Sequence, residues 1–195
     1  MAAQAKVRYT PQEYLAMERQ AEGKSEYFQG EIFAMAGGSE EHNLIALNIA
    51  SELRNQLKGK PCRVYPSAMR VWIPAYEKYT YPDVTVVCGQ PQFQDEVRDT
   101  LLNPTVIIEV LSPSTEKYDR GKKFERYKSL LSVTDYILVA QDEALLDHYA
   151  RQPHDQWLLT TVRGRDSQLR IANIGCTLWL SEVYDKVEFA ADQAL

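Results

Sequence analysis

The sequence contains no apolar run of the length that a membrane-spanning helix needs. Its longest continuous apolar stretches, such as residues 106–108, are far shorter than the roughly 20 residues that cross a bilayer. The N-terminal residues also lack the apolar core of a signal peptide. We therefore expect a cytoplasmic protein that does not associate with a membrane.

Cysteine and histidine are scarce, with three residues of each in a chain of 195. Cys62, Cys88 and Cys176 form no CxxC pair, and they make no plausible zinc set with the histidines. We therefore expect three free thiols that are buried or half-buried.

Several catalytic motifs are absent as well. The chain has no GxGxxG, no GxxxxGKS/T, no GxSxG and no HExxH. These absences argue against a nucleotide-binding site, a serine-hydrolase site and a zinc-protease site of the kinds that these motifs form. A net charge of −5 argues against tight non-specific binding to nucleic acid. Positive charge is concentrated in one segment, residues 117–128.

The composition, 45% hydrophobic and 25% charged, is that of an ordinary globular protein, and we expect a single domain over residues 1–195. Thr10 and Glu13 form a capping box that predicts a first helix, to about Ala21. Ser39 can cap a second helix, to about Leu57. The other predicted elements are a hairpin at 25–36 that turns at Gln29–Gly30, strands at 63–73, 83–88, 105–111 and 136–140, a helix at 119–130, and an antiparallel extension at 145–151 and 156–163.

From the second helix onward the predicted order is α-β-β-β-α-β, with a core at about 39–141. This order is typical of an α/β (α+β) fold in which helices flank a mixed central sheet. An extra N-terminal helix and hairpin precede this core, and an antiparallel hairpin follows it. Asp83 would begin one central strand and Glu109 would lie near the end of the next, so the two carboxylates can meet at one edge of the sheet.

Glu109 is the most informative residue because it interrupts an apolar strand, TVIIEVL, in which an ionised carboxylate needs a partner. A structural salt bridge would also explain Glu109, and turn chemistry would explain Asp83 after Pro82. Together the two carboxylates form a hard oxygen site suited to Mg²⁺ or Mn²⁺. Such a metal activates water and neutralises charge on a phosphate.

These residues resemble the PD-(D/E)xK nuclease superfamily, although the usual acid-x-lysine element would need a lysine where this chain has Leu111. The segment EVLSPST, followed by an Asp119, Lys123 and Tyr127 pattern, is similar to the Uma-two family of restriction-endonuclease-like proteins. The resemblance implies a restriction-endonuclease-like fold and a relocated catalytic lysine, Lys123.

Helix geometry also favours Lys123. Asp119, Lys123 and Tyr127 are four residues apart and therefore share one helix face, whereas Lys122 points about 100° away. A lysine there can reach the carboxylates and polarise water or stabilise a phosphate. The alternative is a surface lysine paired with Asp119.

Two further residues are secondary candidates by the same resemblance. Glu31 follows a glycine in the early hairpin, which implies proximity to the metal, but it also suits an ordinary exposed strand position. His42 lies in the first turn of the second helix and would line the cleft, or it would hydrogen-bond the loop at Gly37–Gly38.

The resemblance therefore implies an endonuclease that hydrolyses DNA phosphodiester bonds with Mg²⁺, for which Mn²⁺ is a substitute. Asp83 and Glu109 would hold the metal, and Lys123 would complete the catalytic set. By analogy we expect a homodimer. Two alternatives stay open: a catalytically weak or inactive module that binds nucleic acid or protein, and a structural dimer whose charged cluster at 117–128 contacts another protein.

Overall fold

The structure, a computed structural model, describes residues 7–189. Its α-helices are α1 (Pro11–Glu18), α2 (Glu40–Gln56), α3 (Glu116–Tyr118), α4 (Phe124–Lys128) and α5 (Leu180–Val183). Its strands are β1 (Ser25–Phe28), β2 (Glu31–Ala34), β3 (Cys62–Pro66), β4 (Arg70–Ile73), β5 (Lys78–Thr80), β6 (Val84–Cys88), β7 (Thr100–Leu101), β8 (Val106–Val110), β9 (Asp135–Val139), β10 (Leu145–Arg151), β11 (Trp157–Arg163), β12 (Gln168–Ile171) and β13 (Cys176–Trp179). Within the described part of the chain, no helix combines the length and apolar character needed to cross a membrane.

A six-stranded sheet forms the centre of the molecule, in the order β11-β10-β9-β8-β6-β3. The β8–β9 pair is parallel and the other pairs are antiparallel, so the sheet is mixed, as predicted. In chain order α2, β3, β6, β8, α4 and β9 follow the predicted α-β-β-β-α-β pattern. The β10–β11 hairpin extends the sheet on one side.

A second sheet of five strands, in the order β2-β1-β5-β4-β7, accounts for the main error of the sequence interpretation. The single strand predicted at residues 63–73 is two strands, β3 and β4, which belong to different sheets. Pro66 ends β3, and a turn follows it before Arg70. The long-range pairing of β4 with β5 and β7 then takes the chain into the second sheet.

The two faces of the central sheet have different neighbours. Ile45, Ile49 and Leu53 of α2 are fully buried against one face, which confirms the predicted inward stripe. Phe124 and Tyr127 of α4 pack on the opposite face together with side chains of the second sheet. Alternation along β8 therefore decides which side chains point toward α4.

Local signals predicted the first half of the chain well. Thr10 and Glu13 form the expected capping box on α1, although the helix ends at Glu18 rather than near Ala21. The hairpin turns at Gln29 and Gly30, which both have positive φ angles as a tight hairpin turn requires. Ser39 caps α2 by accepting a hydrogen bond from the backbone of His42.

The expectation of three free thiols is wrong. Cys62 and Cys88 face each other across the antiparallel β3–β6 pair, with their Cα atoms 4.0 Å apart, and form a disulfide. Cys176 is free and buried, as expected. A spacing of 26 residues carries no local signal for this pairing, because it depends on the register of two strands.

Candidate active site

Asp83 and Glu109 come together because β6 and β8 are antiparallel neighbours. Val84 is paired with Ile108, so Asp83, one residue earlier, lies opposite Glu109. Glu109 has the same orientation in β8 as Ile107, which packs on the α4 side of the sheet. The start of one strand and the end of the next thus place two carboxylates on one face, at one edge of the sheet.

The carboxylate of Asp83 is held at both oxygens. Oδ2 accepts a hydrogen bond from the backbone N–H of Val110 at 2.8 Å. Oδ1 lies 3.0 Å from Nε2 of His42, in the first turn of α2. His42 therefore lies beside the acid pair, and its ring also packs against Gly38, where an added Cβ would be 2.8 Å from Cδ2 of the ring.

Glu109 is only 3% exposed, and its partners come from the helical segment after β8. Oε1 lies 2.9 Å from Nζ of Lys123 and accepts a hydrogen bond from the hydroxyl of Tyr127 at 3.2 Å. The salt bridge that sequence reasoning offered as an alternative for Glu109 is therefore present. Its partner is the same lysine that the resemblance assigns to the site.

The helical segment after β8 is wider than an α-helix at the turn that ends with Lys123. Residues Asp119–Lys123 form a π-helical turn between α3 and α4, a feature often found at functional sites. The hydroxyl of Tyr136, in β9, donates to the carbonyl of Asp119 and holds this turn against the sheet. The sequence pattern predicted a regular helix that begins at Asp119. A single π-helical turn could not be recognised from that pattern.

Asp119 is the least satisfied member of the cluster. Its side chain is 4% exposed, and Oδ1 lies 3.3 Å from Nζ of Lys123. Despite this distance, no donor among residues 7–189, Lys123 included, meets Oδ1 with hydrogen-bond geometry. Lys123 is thus buried between two carboxylates, whereas Lys122 is exposed, as the helix phase predicted.

Glu26 is the cleft residue that sequence reasoning missed. It lies on β1, is largely buried, and accepts hydrogen bonds from Lys78 Nζ at 2.5 Å and from Thr80. Glu31, the predicted secondary candidate, is opposite Phe28 and does not line the cleft. The alternation of side chains along the hairpin puts Glu26 and Glu31 on the same face. The sequence could therefore indicate this face of the hairpin, but not which of the two glutamates lies in the cleft.

These side chains surround one cleft with a volume of about 470 Å³. Its floor and walls combine the acid pair and the lysine with the β2 strand and the loop that follows it. Ser112, Ser114 and Thr115, in the loop after β8, and Tyr118 also line the cleft. The structure therefore brings Asp83, Glu109, Lys123, His42 and Asp119 into one concave site.

The electrostatics of the cleft reflect its excess of acid. Burial raises the pKa of Glu109 well above its ordinary range, and the negative charges of Asp83 and Asp119 add to this shift. Burial opposes the charged form of Lys123, yet Glu109 and Asp119 hold its pKa well above the ordinary value. The hydrogen bond with Asp83 raises the pKa of His42. The site favours bound protons, as expected where carboxylates outnumber cations.

The fold is shared with a protein of known structure. A crystal structure from Anabaena variabilis ATCC 29413, described as a "putative nuclease belonging to DUF820", superposes with a TM-score of 0.74 at 19% identity. The match covers 92% of this chain and 99% of that one. At this identity the likeness establishes a shared fold, a mixed sheet flanked by helices.

The chain belongs to the Uma2 family, described as "Putative restriction endonuclease", whose sequence model matches residues 11–181. Two uncharacterised proteins of Synechocystis sp. PCC 6803 are similar over nearly their full length. One is 36% identical over 84% of this chain and 92% of its own length. The other is 34% identical over 92% of this chain and 93% of its own.

Proposed function

We propose that the protein is a Mg²⁺-dependent endonuclease that hydrolyses DNA phosphodiester bonds, with Mn²⁺ able to replace Mg²⁺. The observation that carries this proposal is the convergence of Asp83, Glu109 and Lys123 in one cleft, with Lys123 Nζ 2.9 Å from Glu109. Membership of a family described as restriction endonucleases supports the reaction class.

The donor atoms of the cleft fit a divalent cation. Asp83 and Glu109 supply hard oxygen ligands from adjacent strands, and the buried Oδ1 of Asp119 has no hydrogen-bond partner. No group of three or more His, Cys, Asp or Glu side chains within residues 7–189 forms a complete site by itself. We therefore assign Asp83 and Glu109 as the protein ligands, because Mg²⁺ commonly keeps several waters and takes only one or two carboxylates.

When bound, the cation would supply Lewis acidity and a more acidic water. The side chains around it have separate tasks. Lys123 places an ammonium group where negative charge develops on the phosphate, and burial strengthens that interaction. His42 and the backbone of Val110 orient the carboxylate of Asp83, and Tyr127 orients that of Glu109.

A cleavage assay tests this function. Purified protein is incubated with single- and double-stranded DNA at low salt in Mg²⁺, Mn²⁺ or EDTA. We expect metal-dependent cleavage that falls about a thousandfold in Asp83→Ala and Glu109→Ala, since the metal contributes several kcal/mol to such reactions. DNA binding without cleavage under all conditions would instead favour a non-catalytic binding module.

Lys123 has a matched control in its neighbour. Lys123→Ala should lose most of the cleavage activity while the protein still binds metal. Lys122→Ala should have little effect, because Lys122 is exposed and outside the cleft. An essential Lys122 together with a dispensable Lys123 would show that the assignment of the catalytic lysine is wrong.

We also propose that the protein acts as a homodimer, since two-fold symmetry presents two active sites to the two strands of a duplex. Light scattering on the purified protein measures its mass directly. A monomer at working concentrations would contradict this part of the proposal and leave the catalytic assignment intact.

A further inference from the structure

An exposed aromatic ring lies at the cleft. Phe33 and Trp179 are the exposed aromatic side chains among residues 7–189, and each is 48% accessible to solvent. Phe33 lines the cleft that contains the acid pair, whereas Trp179 does not. The other aromatic residues of the hairpin have partners: Tyr27 is buried in an aromatic cluster, and Phe28 stacks under the guanidinium of Arg126.

The position of Phe33 is fixed by the hairpin register. Phe33 is directly opposite Glu26 in the β1–β2 pair, so the two side chains are neighbours on the same face of the second sheet. The next residue on the other face, Ile32, packs with Tyr27 in the aromatic cluster beside α1. The ring of Phe33 is therefore turned away from this core and toward the acidic cleft.

Glu26 connects this ring to the candidate catalytic centre. Glu26 is the cross-strand neighbour of Phe33 and lines the same cleft as Lys123. The Phe33 ring and the candidate catalytic residues therefore line one cavity, so a base at the ring and a neighbouring phosphate at the acid pair can belong to one strand.

The burial of the acidic side chains limits what can reach them. Glu109 and Asp119 are each 3% exposed, so the reacting phosphate must enter the cavity of about 470 Å³ that they line. Cavities of this size suit ligands of small-molecule dimensions. The bases of an intact duplex are also stacked on both sides, whereas an unpaired base has a free face for an aromatic ring.

Resting on the proposed nuclease function, we propose that the substrate is a single-stranded or locally unpaired stretch of nucleic acid. One unpaired base stacks on Phe33 while its neighbouring phosphate lies at Asp83 and Glu109. This assigns Phe33 as a residue that determines specificity. Its role is to select the strand conformation, because stacking reads the face of a base and not its sequence.

Binding is measured first, in EDTA so that no cleavage occurs. The probes are a short single-stranded oligonucleotide and a blunt-ended, fully paired duplex of the same composition. Phe33→Ala should weaken single-strand binding about tenfold and leave duplex binding unchanged, since a tenfold loss lies within the range that stacking of one base contributes. Phe33→Trp should keep the affinity, and its indole fluorescence should be quenched by the single strand. Trp179→Ala, which removes the other exposed aromatic ring, should change neither affinity.

Cleavage with Mg²⁺ is then compared on the same two probes. The parent protein should prefer the single strand, and Phe33→Ala should reduce that preference about tenfold. Equal cleavage of both probes, unaffected by Phe33→Ala, would overturn this inference and leave the nuclease function standing. Absence of any metal-dependent cleavage would overturn the nuclease function, and fluorescence quenching in Phe33→Trp would then decide separately whether Phe33 stacks on a base.

Discussion

Two buried groups of charged side chains, one around Arg70 and one around Lys123, differ in how completely their charges are paired. Arg70 is 3% exposed, and its guanidinium donates to Thr100, Tyr81 and Asp99 at 2.7–3.0 Å. Asp99 also accepts two hydrogen bonds from Arg19, which lower its pKa. In the Arg70 group, both the guanidinium of Arg70 and the carboxylate of Asp99 therefore have hydrogen-bond partners of opposite charge.

The Lys123 group leaves part of its acceptor capacity open. One buried ammonium faces both Glu109 and Asp119, and Oδ1 of Asp119 has no hydrogen-bond partner in the described chain. Buried polar atoms in native proteins are nearly always satisfied, so an exception at a cleft needs an explanation. Under the proposed function, completeness of pairing would separate a charge group that holds the fold from one that binds a ligand.

One substitution in the Lys123 group and one in the Arg70 group should give the largest difference, in cleavage activity and in the free energy of unfolding. Glu109→Gln should reduce cleavage about a thousandfold, because the proposed metal site would lose one of its two carboxylates. It should leave the free energy of unfolding within about 1 kcal/mol of the parent value or raise it, since one of several neighbouring negative charges is removed. Arg70→Met should instead lower the free energy of unfolding by about 3 kcal/mol, because it breaks a buried ion pair.

Urea denaturation and cleavage by the folded fraction measure both effects. Arg70→Met should keep the specific activity of the folded protein. If Glu109→Gln proved as destabilising as Arg70→Met, the Lys123 group would be a structural element and the contrast would fail.

Metal binding distinguishes the Lys123 group from the Arg70 group in a second way, which does not depend on catalytic activity. Saturating Mg²⁺ or Mn²⁺ should raise the thermal midpoint of the parent protein, since a ligand at about 100 times its Kd stabilises the folded state by about 2.7 kcal/mol. Asp83→Asn and Glu109→Gln should abolish the shift, and Arg70→Met should retain it. An equal shift in all four proteins would mean that the metal binds outside the Lys123 group.

The loop beside His42 offers a smaller and more local test. Gly38→Ala places a Cβ 2.8 Å from the His42 ring, whereas Gly37→Ala meets nothing within 4 Å. We expect Gly38→Ala to displace the ring from Asp83 and to lower cleavage about tenfold, about 1.4 kcal/mol. Gly37→Ala is the matched control and should leave cleavage near the parent level.

The pKa of His42 reports this displacement directly. In the parent protein the hydrogen bond with Asp83 raises that pKa, so the imidazolium persists to higher pH than in a free histidine. In Gly38→Ala the pKa should fall, and NMR titration of the ring measures it. An unchanged His42 pKa in Gly38→Ala would show that the ring keeps its contact and that Gly38 does not position it.

Sequence predicted the elements that neighbouring residues determine. The capping box at Thr10, the turn at Gln29–Gly30 and the cap at Ser39 each depend on side chains within a few positions, and all three are present. The mixed sheet and the placement of Asp83 beside Glu109 also followed from the order of strands. These features need only short-range signals and a known order of elements.

The remaining features depend on contacts that are distant in sequence. The split between β3 and β4, the Cys62–Cys88 disulfide and the second sheet arise from strand register. The position of Glu26, rather than Glu31, in the cleft has the same origin. No window of neighbouring residues contains this information.

The π-helical turn at Asp119–Lys123 has a consequence for how such a site can arise. A π turn holds one residue more than an α turn, so it is equivalent to a single-residue insertion in a helix. Lys123, the last residue of this turn, places its ammonium group beside Glu109 from the helical segment and not from β8. Leu111, at the position of the usual lysine, is 4% exposed and packs in the core beneath α4. The strand thereby gains an apolar side chain for packing while the charge remains available from the neighbouring layer.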